Sequence, residues 1–290
     1  MRCVSGATGA TLWTIYGTSE GDELGYSLVN LGDVNGDGKA DFAVGALQRR
    51  TSTPQPGYVR VCSGANGATI ATITGIAGTD TDFGFALAAM PDVSGDGRNE
   101  LIIGSPGYST DRGRAVRVNS GTWVIALNWF GVDNGERFGS AVCAIGDVNN
   151  DGKPDVLCGA PSNDAVASGA GRVYCRSGVA NTSLFTLSGA TANEAFGTAV
   201  CGLMYDVTPF FAVGAPGVDY LPGGITDCGM VRTYVAASQV PYTTNYGAAS
   251  FSYFGTTLAN IGDYFGSGFD DFAVGSTESF SWDRAKGRRR

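Results

Sequence analysis

The chain has 290 residues, 45 of them Gly, with 43% hydrophobic and 16% charged residues, a formal charge of −8 and no His. The apolar share excludes a disordered chain, the ten scattered Pro exclude collagen, and no apolar run approaches the roughly 18 residues of a membrane-spanning helix. Without His there is no Ser-His-Asp or Cys-His catalysis and no usual zinc site, and the net acidity argues against nucleic-acid partners.

The chain opens Met1-Arg2-Cys3-Val4-Ser5-Gly6, so no signal peptide stands in this numbering. Residues 1–17 hold two short β-type runs, after which a unit repeats. Its first marker is Leu24-Gly25, Phe83-Gly84, Phe138-Gly139, Phe196-Gly197 and Phe254-Gly255, with glycines 59, 55, 58 and 58 residues apart. About twenty residues later comes the second: Gly45-Ala46-Leu47, Gly104-Ser105-Pro106, Gly159-Ala160-Pro161, Gly214-Ala215-Pro216 and Gly275-Ser276-Thr277. The first unit (18–75) predicts strands at Tyr26–Leu31, Phe42–Ala46, Tyr58–Cys62 and Ala68–Thr74, each bounded by Gly or Asp clusters. Units 76–131, 132–189 and 190–247 follow the same plan. Residues 248–283 supply only the first two strands, Thr256–Ile261 and Phe272–Gly275, and residues 284–290 form a basic tail read as solvated.

Four short antiparallel strands per unit at this period are the blades of an all-β fold, a β-propeller. No segment carries a helical pattern long enough for an α/β crossover. Residues 1–17 match the last two strands of a unit, so the expectation is five blades, the N-terminal pair completing the fifth and leaving no open edge. A slice of a longer array remains the alternative.

The loops between the first and second strands carry the chemistry. Blade one has Asp33, Asn35, Asp37, Lys39 and Asp41 at positions 1, 3, 5, 7 and 9; blade two has Asp92, Ser94, Asp96, Arg98 and Glu100; blade three has Asp147, Asn149, Asp151, Lys153 and Asp155. Gly38, Gly97 and Gly152 stand at position 6. Oxygen side chains at 1, 3, 5 and 9 around a sharp glycine turn suit Ca²⁺, with position 7 offering its carbonyl. Three carboxylates crowded in one turn repel each other unless a cation joins them. A plain hairpin turn would not require them. About three Ca²⁺ sites are expected. Blade five keeps Asp263, Ser267 and Asp271 and predicts a weak site; blade four has lost the loop and predicts none.

These markers, with Asp-x-Asn-x-Asp-Gly-x-x-Asp between them, resemble the FG-GAP repeats of integrin α-subunit propellers and their bacterial relatives. The resemblance implies a calcium-stabilised, non-enzymatic binding or adhesion module, extracellular or at the cell surface. It departs from the integrin pattern in having five units, two of them degenerate. A lectin, or less strongly a propeller of a polysaccharide-degrading enzyme, is the alternative.

Strand alternation puts the calcium loops on one face and the loops between second and third strands, with the blade connections, on the other. Those second-face loops vary most, and variable loops on a rigid scaffold carry binding. A protein or glycan partner is therefore expected there, at Arg49, Arg50, Tyr108, Asp111, Asp164, Asp219 and Tyr220. Trp13 and Trp129 read as packed sheet residues. The seven Cys include no C-x-x-C; they read as small hydrophobes, with a Cys143–Cys158 pair left open. Asn181-Thr182-Ser183 fits a glycosylation sequon.

Overall fold

A computed structural model describes residues 1–50, 55–277 and the strand residues 282–283 and 288–289. The N-terminal pair is β1 (Arg2–Val4) and β2 (Thr11–Thr14). Blade one consists of β3 (Leu28–Gly32), β4 (Asp41–Ala46), β5 (Tyr58–Cys62) and β6 (Thr69–Thr74). The two-residue β7 (Asp80–Thr81) leads into blade two: β8 (Ala86–Met90), β9 (Glu100–Ser105), β10 (Arg114–Asn119) and β11 (Val124–Phe130). Blade three is β12 (Ala141–Ile145), β13 (Asp155–Ala160), β14 (Arg172–Arg176) and β15 (Ser183–Ser188); blade four is β16 (Ala199–Tyr205), β17 (Thr208–Ala215), β18 (Met230–Val235) and β19 (Pro241–Tyr246). The two-stranded β20 (Thr257–Gly262) and β21 (Asp271–Gly275) begin a fifth, and β22 (Trp282–Asp283) pairs with β23 (Arg288–Arg289).

Blades one to four are each a four-stranded antiparallel meander in sequence order. Their first strands stand side by side, β3 against β8, β8 against β12, β12 against β16 and β16 against β20. Each hydrophobic cluster lies between two successive sheets: Leu31, Val59 and Leu101 between blades one and two, Ile102, Trp129 and Tyr174 between two and three, and Leu157, Phe196 and Phe211 between three and four. Blades packed face to face around inner strands are the architecture of a β-propeller. Second strands covered on both sides are continuous apolar runs, and β9 and β13 are buried at every residue.

The two markers of the repeat have one physical cause. Gly84, Gly139, Gly197 and Gly255 adopt φ of +91°, +84°, +91° and +91°, and each donates its N–H to the marker glycine of its own second strand. That second-strand glycine lies against the next blade. A Cβ on Gly104, Gly159 or Gly214 would stand 2.1, 2.0 and 2.0 Å from the carbonyl oxygen of Gly139, Gly197 and Gly255. Both glycines therefore set how closely blades approach. Phe83, Phe138 and Phe196 fill the cores beside them.

One strand boundary differs from the sequence-based expectation, and the pairing of Cys143 and Cys158 is decided. β1–β2 and β20–β21 are separate two-stranded sheets, with no ladder between them among the described residues. β1–β2 packs against blade one, with Ile15 among Val44 and Cys62 and Trp13 stacked on Phe42 at 5.4 Å. The first strand of blade one starts at Leu28 instead of Tyr26, because Tyr26 N–H turns onto the Gly45 carbonyl. Cys143 and Cys158 are both free; Cys158 faces Val142 across the ladder and Cys143 faces Leu157. Burial pushes the Cys158 thiol up to about 12 and Cys201 to about 11, so both behave as hydrophobes at neutral pH. Trp129 is fully buried, whereas Trp13 is only partly covered. The basic tail is outside the described residues apart from the backbone of β23, as are residues 51–54 of the first variable loop.

Candidate metal centres

In the three acidic loops the position-1 carboxylate is cradled by backbone N–H groups. Asp33 accepts from Gly36 and Gly38 at 2.7 Å each, Asp92 from Gly95 at 2.7 Å and Gly97 at 2.8 Å, and Asp147 from Gly152 at 2.7 Å. Gly38, Gly97 and Gly152 all have φ near +80°, which brings these amides round to the carboxylate. The Lys39, Arg98 and Lys153 amides donate to the position-5 carboxylates of Asp37, Asp96 and Asp151 at 2.9 Å. Position 9 is buried in every loop, as Asp41, Glu100 and Asp155. Its carboxylate reaches the turn between third and fourth strands, accepting from Gly64 at 3.0 Å, Ser120 at 2.7 Å and Gly178 at 3.1 Å. The loops at 33–41 and 63–68, and their counterparts, therefore share a face.

The loops differ in how far they converge. Carboxylate oxygens of Asp92, Asp96 and Glu100 lie within 4.8 Å of one another, and among the described residues this is the one such acidic group. An all-oxygen set at that spacing fits a hard divalent cation. In blades one and three the position-3 amide intervenes: Asn35 Nδ2 and Asn149 Nδ2 each donate 2.9 Å to Oδ2 of Asp37 and Asp151. Ser94 is too short to do so and bonds Asp92 Oδ1 at 3.3 Å instead.

The electrostatics follow the hydrogen bonds. Donation from Asn35 and the Lys39 amide holds Asp37 below the usual carboxylate value, and the Gly97 and Gly95 amides do the same for Asp92. Burial pushes Asp155 up, and the neighbouring Asp151 and Asp147 add to it. A buried carboxyl beside two others is the arrangement a cation relieves. In blade five Ser267 and Gly268 still cradle Asp263 at 2.8 Å each, but Phe265 stands at position 3 and points no oxygen inward. Blade four has only the turn Asp206-Val207 between Tyr205 and Thr208, with no loop to fill.

On the second face, the connection β7 pairs with Gly107 and Tyr108, so second–third loops and blade connections do lie together. Arg49 bonds Asp82 at 2.6 Å, and Arg137 joins Asp82 at 3.7 Å and Asp111 at 3.5 Å, linking three successive blades. Arg50 reaches Glu23 at 3.0 Å. Tyr108 leans on Phe130, and Tyr220 on Tyr246 at 4.8 Å. Asp164 and Asp219 each accept a loop amide, from Gly169 and Asp227, at 2.7 Å. Several of these expected ligand contacts thus brace their own loops.

A second group of acids was not anticipated. Asp22, Asp80, Glu136 and Glu194 are buried at the blade connections. Each stands five residues after a strand-end glycine, Gly17, Gly75, Gly131 or Gly189, and this fixed spacing is the signal that reveals them. A Cβ on Gly17 or Gly131 would collide with the Asp22 or Glu136 carboxylate, so the glycine makes its room.

Comparison with known proteins matches the FG-GAP repeat model at residues 24–62, 83–118 and 138–174. Integrin alpha-PS2 of Drosophila melanogaster is 34% identical over 52% of this chain and 11% of its own length. Integrin alpha-V of Gallus gallus is 32% identical over 48% and 14%, and integrin alpha-4 of Xenopus laevis 30% over 60% and 19%. The chain thus spans between a tenth and a fifth of these relatives. The solved Dos1 propeller superposes with a TM-score of 0.48 at 11% identity, over 80% of this chain and 48% of that one. With glycine pairs seating one blade on the next and acidic loops between them, the chain is a β-propeller that carries FG-GAP repeats at residues 24–62, 83–118 and 138–174 and is similar there to integrin α-subunits.

Proposed function

We propose that the chain is a calcium-stabilised, non-enzymatic binding module of adhesion type, working outside the cell or at its surface. The observation that carries this reading is the repeat itself, shared with integrin α-subunits and built around oxygen-only loops. Ca²⁺ would be held by Asp92, Asp96 and Glu100, by Asp33, Asp37 and Asp41, and by Asp147, Asp151 and Asp155, with the position-3 side chains turning their oxygens inward. When bound it would neutralise each loop and pin the first and second strands of its blade. A protein partner would engage the second face, where the Arg49–Asp82–Arg137–Asp111 chain holds three blades' loops in register. No helix among the described residues is long and apolar enough to cross a membrane.

The test is plate binding of the full chain to purified extracellular-matrix proteins, in Ca²⁺ and in chelator. Saturable binding in Ca²⁺ that falls in an Arg50→Ala, Asp164→Ala, Asp219→Ala triple variant of unchanged melting temperature supports the reading. Binding to none of them, or binding indifferent to the triple variant, overturns it.

A further inference from the structure

The connection acids are served differently in blade four. In the first three blades the sheet that follows a connection sends a donor back to its acid: the Tyr58 hydroxyl to Asp22 at 2.7 Å, the Arg114 guanidinium to Asp80, and the Tyr174 hydroxyl to Glu136 at 2.7 Å. In blade two the donors are a facing pair, Arg114 on β10 and Ser105 on β9, whose hydroxyl also reaches Asp80 at 2.7 Å. The same facing pair in blade four is Met230 and Ala215, and neither side chain has a donor. Glu194 is as buried as its counterparts, at 8% exposure, yet it accepts only from its own connection. Its donors are the Ala190 and Thr191 amides at 2.8 and 2.9 Å and the Thr191 hydroxyl at 2.7 Å.

Open space stands beside Glu194 where the sheet's donor is missing. A cavity of about 490 Å³, within the range of about 300–1,000 Å³ usual for small-ligand sites, lies between blades three and four, both complete four-stranded sheets. Glu194, Asp219 and Arg232 line it, and Val218, Leu221 and Met230 supply an apolar wall. Among the described residues none of these three charged groups is in an ion pair. Arg232 Nε donates to the Thr244 hydroxyl at 3.1 Å and its Nη2 to the Met230 sulfur at 3.3 Å, while Asp219 accepts the Asp227 amide through Oδ1 alone. Two acids and one base therefore share a cavity without neutralising one another.

We propose that this cavity binds a free basic amino acid of the arginine or lysine class. Such a ligand carries two cations and one carboxylate, the complement of the lining. One cation takes the place on Glu194 that Arg114 takes on Asp80, the other meets Asp219, and the carboxylate meets Arg232. The methylenes between them lie along Val218, Leu221 and Met230. An acidic amino acid would face two carboxylates, a neutral one would leave an acid unmatched, and a ligand without a carboxylate would leave Arg232 unmatched. The site goes beyond the adhesion reading and does not rest on it, since the ligand is a small molecule and no protein partner is involved.

The test is calorimetric titration of the full chain with L-arginine and L-lysine, and with agmatine, L-leucine and L-glutamate for comparison. Arginine or lysine is expected to bind, with agmatine, which lacks the carboxylate, about tenfold weaker and no heat from leucine or glutamate. Met230→Arg rebuilds the blade-two arrangement with a tethered guanidinium and should abolish binding while the thermal melt stays at or above the parent's. Arg232→Gln should weaken arginine about tenfold and leave agmatine unchanged, a split that a merely unfolded or loosened variant does not produce. Failure of both basic amino acids at millimolar concentration, leucine or glutamate binding as well as arginine, or arginine binding that survives Met230→Arg would each overturn the proposal. So would an Arg232→Gln variant that weakens arginine and agmatine alike.

Discussion

Asp80 has no surface exposure and receives the guanidinium of Arg114, itself 4% exposed, together with the Ser105 hydroxyl at 2.7 Å and the Ile76 amide at 3.1 Å. Glu136 takes the Tyr174 hydroxyl at 2.7 Å and the side-chain amide of Asn163 in the same place of the next repeat. These carboxylates tie a blade connection to the third strand of the following sheet, and a buried ion pair broken on one side leaves a stranded charge. Asp80→Ala should therefore lower the unfolding free energy by about 3–5 kcal/mol, read from urea midpoints at constant m. An effect below about 1 kcal/mol would mean that Arg114 escapes to Asn128 or solvent. Asp22 adds a pH dependence. Burial pushes its carboxyl up, but donation from Tyr58 and the Leu24 and Thr18 amides outweighs this and holds it below its usual 3.8. A depressed folded value stabilises the protein above about pH 3.8 and loses that contribution as pH falls through the folded value. Asp22→Asn should flatten the acid limb of a stability–pH curve in that window, while leaving stability near pH 7 lower than the parent's.

At the scale of strands and loops, the glycine markers and the acidic turns make separable demands. Gly159→Ala places a methyl 2.0 Å from the Gly197 carbonyl, so blades three and four must part; a loss of about 1–3 kcal/mol is expected. Gly6→Ala meets nothing within 4 Å and should stay within about 0.5 kcal/mol. The two melts measured side by side decide whether close approach or mere backbone freedom selects the glycine. In the blade-two loop, Asp96 is exposed whereas Glu100 is buried and holds Ser120. Asp96→Asn should remove one Ca²⁺ from the calorimetric stoichiometry and leave the chelated protein's melting temperature unchanged. Glu100→Gln should lower both. Equal behaviour of the two variants would contradict a double role for position 9.

For the whole molecule, the stabilising effect of a bound ion grows with the logarithm of its free concentration. Saturation at 100 times Kd contributes about 2.7 kcal/mol per site. Calcium should raise the melting temperature of the intact chain, chelator should reverse it, and high NaCl alone should not reproduce it, because screening does not supply oxygen coordination. No shift with Ca²⁺ would reduce the acidic loops to turns. Stability across the chain is otherwise carried by cores between neighbouring sheets, so a damaged blade is felt mainly by the two beside it.

The repeat, its four-stranded units and the acidic loops were legible in the chain because each depends on residues close in sequence: alternating apolar runs, a glycine for positive φ, carboxylates four residues apart. Strand ends near Tyr26 shifted by two residues because a distant carbonyl, that of Gly45, captures the turn. Convergence of the acids was not legible. Asp92, Asp96 and Glu100 come together while the same pattern around Asn35 does not, since an amide one bond longer than a hydroxyl reaches across. The loop bracing of Arg49 and Asp111, the buried connection acids, the separate sheet of β1–β2 and the charged cavity beside Glu194 all rest on contacts between blades. Local propensity and spacing determine which elements form. Which side chains meet across 50 or more residues is decided only when the sheets pack, because that choice depends on distances between blades that no short stretch of chain encodes.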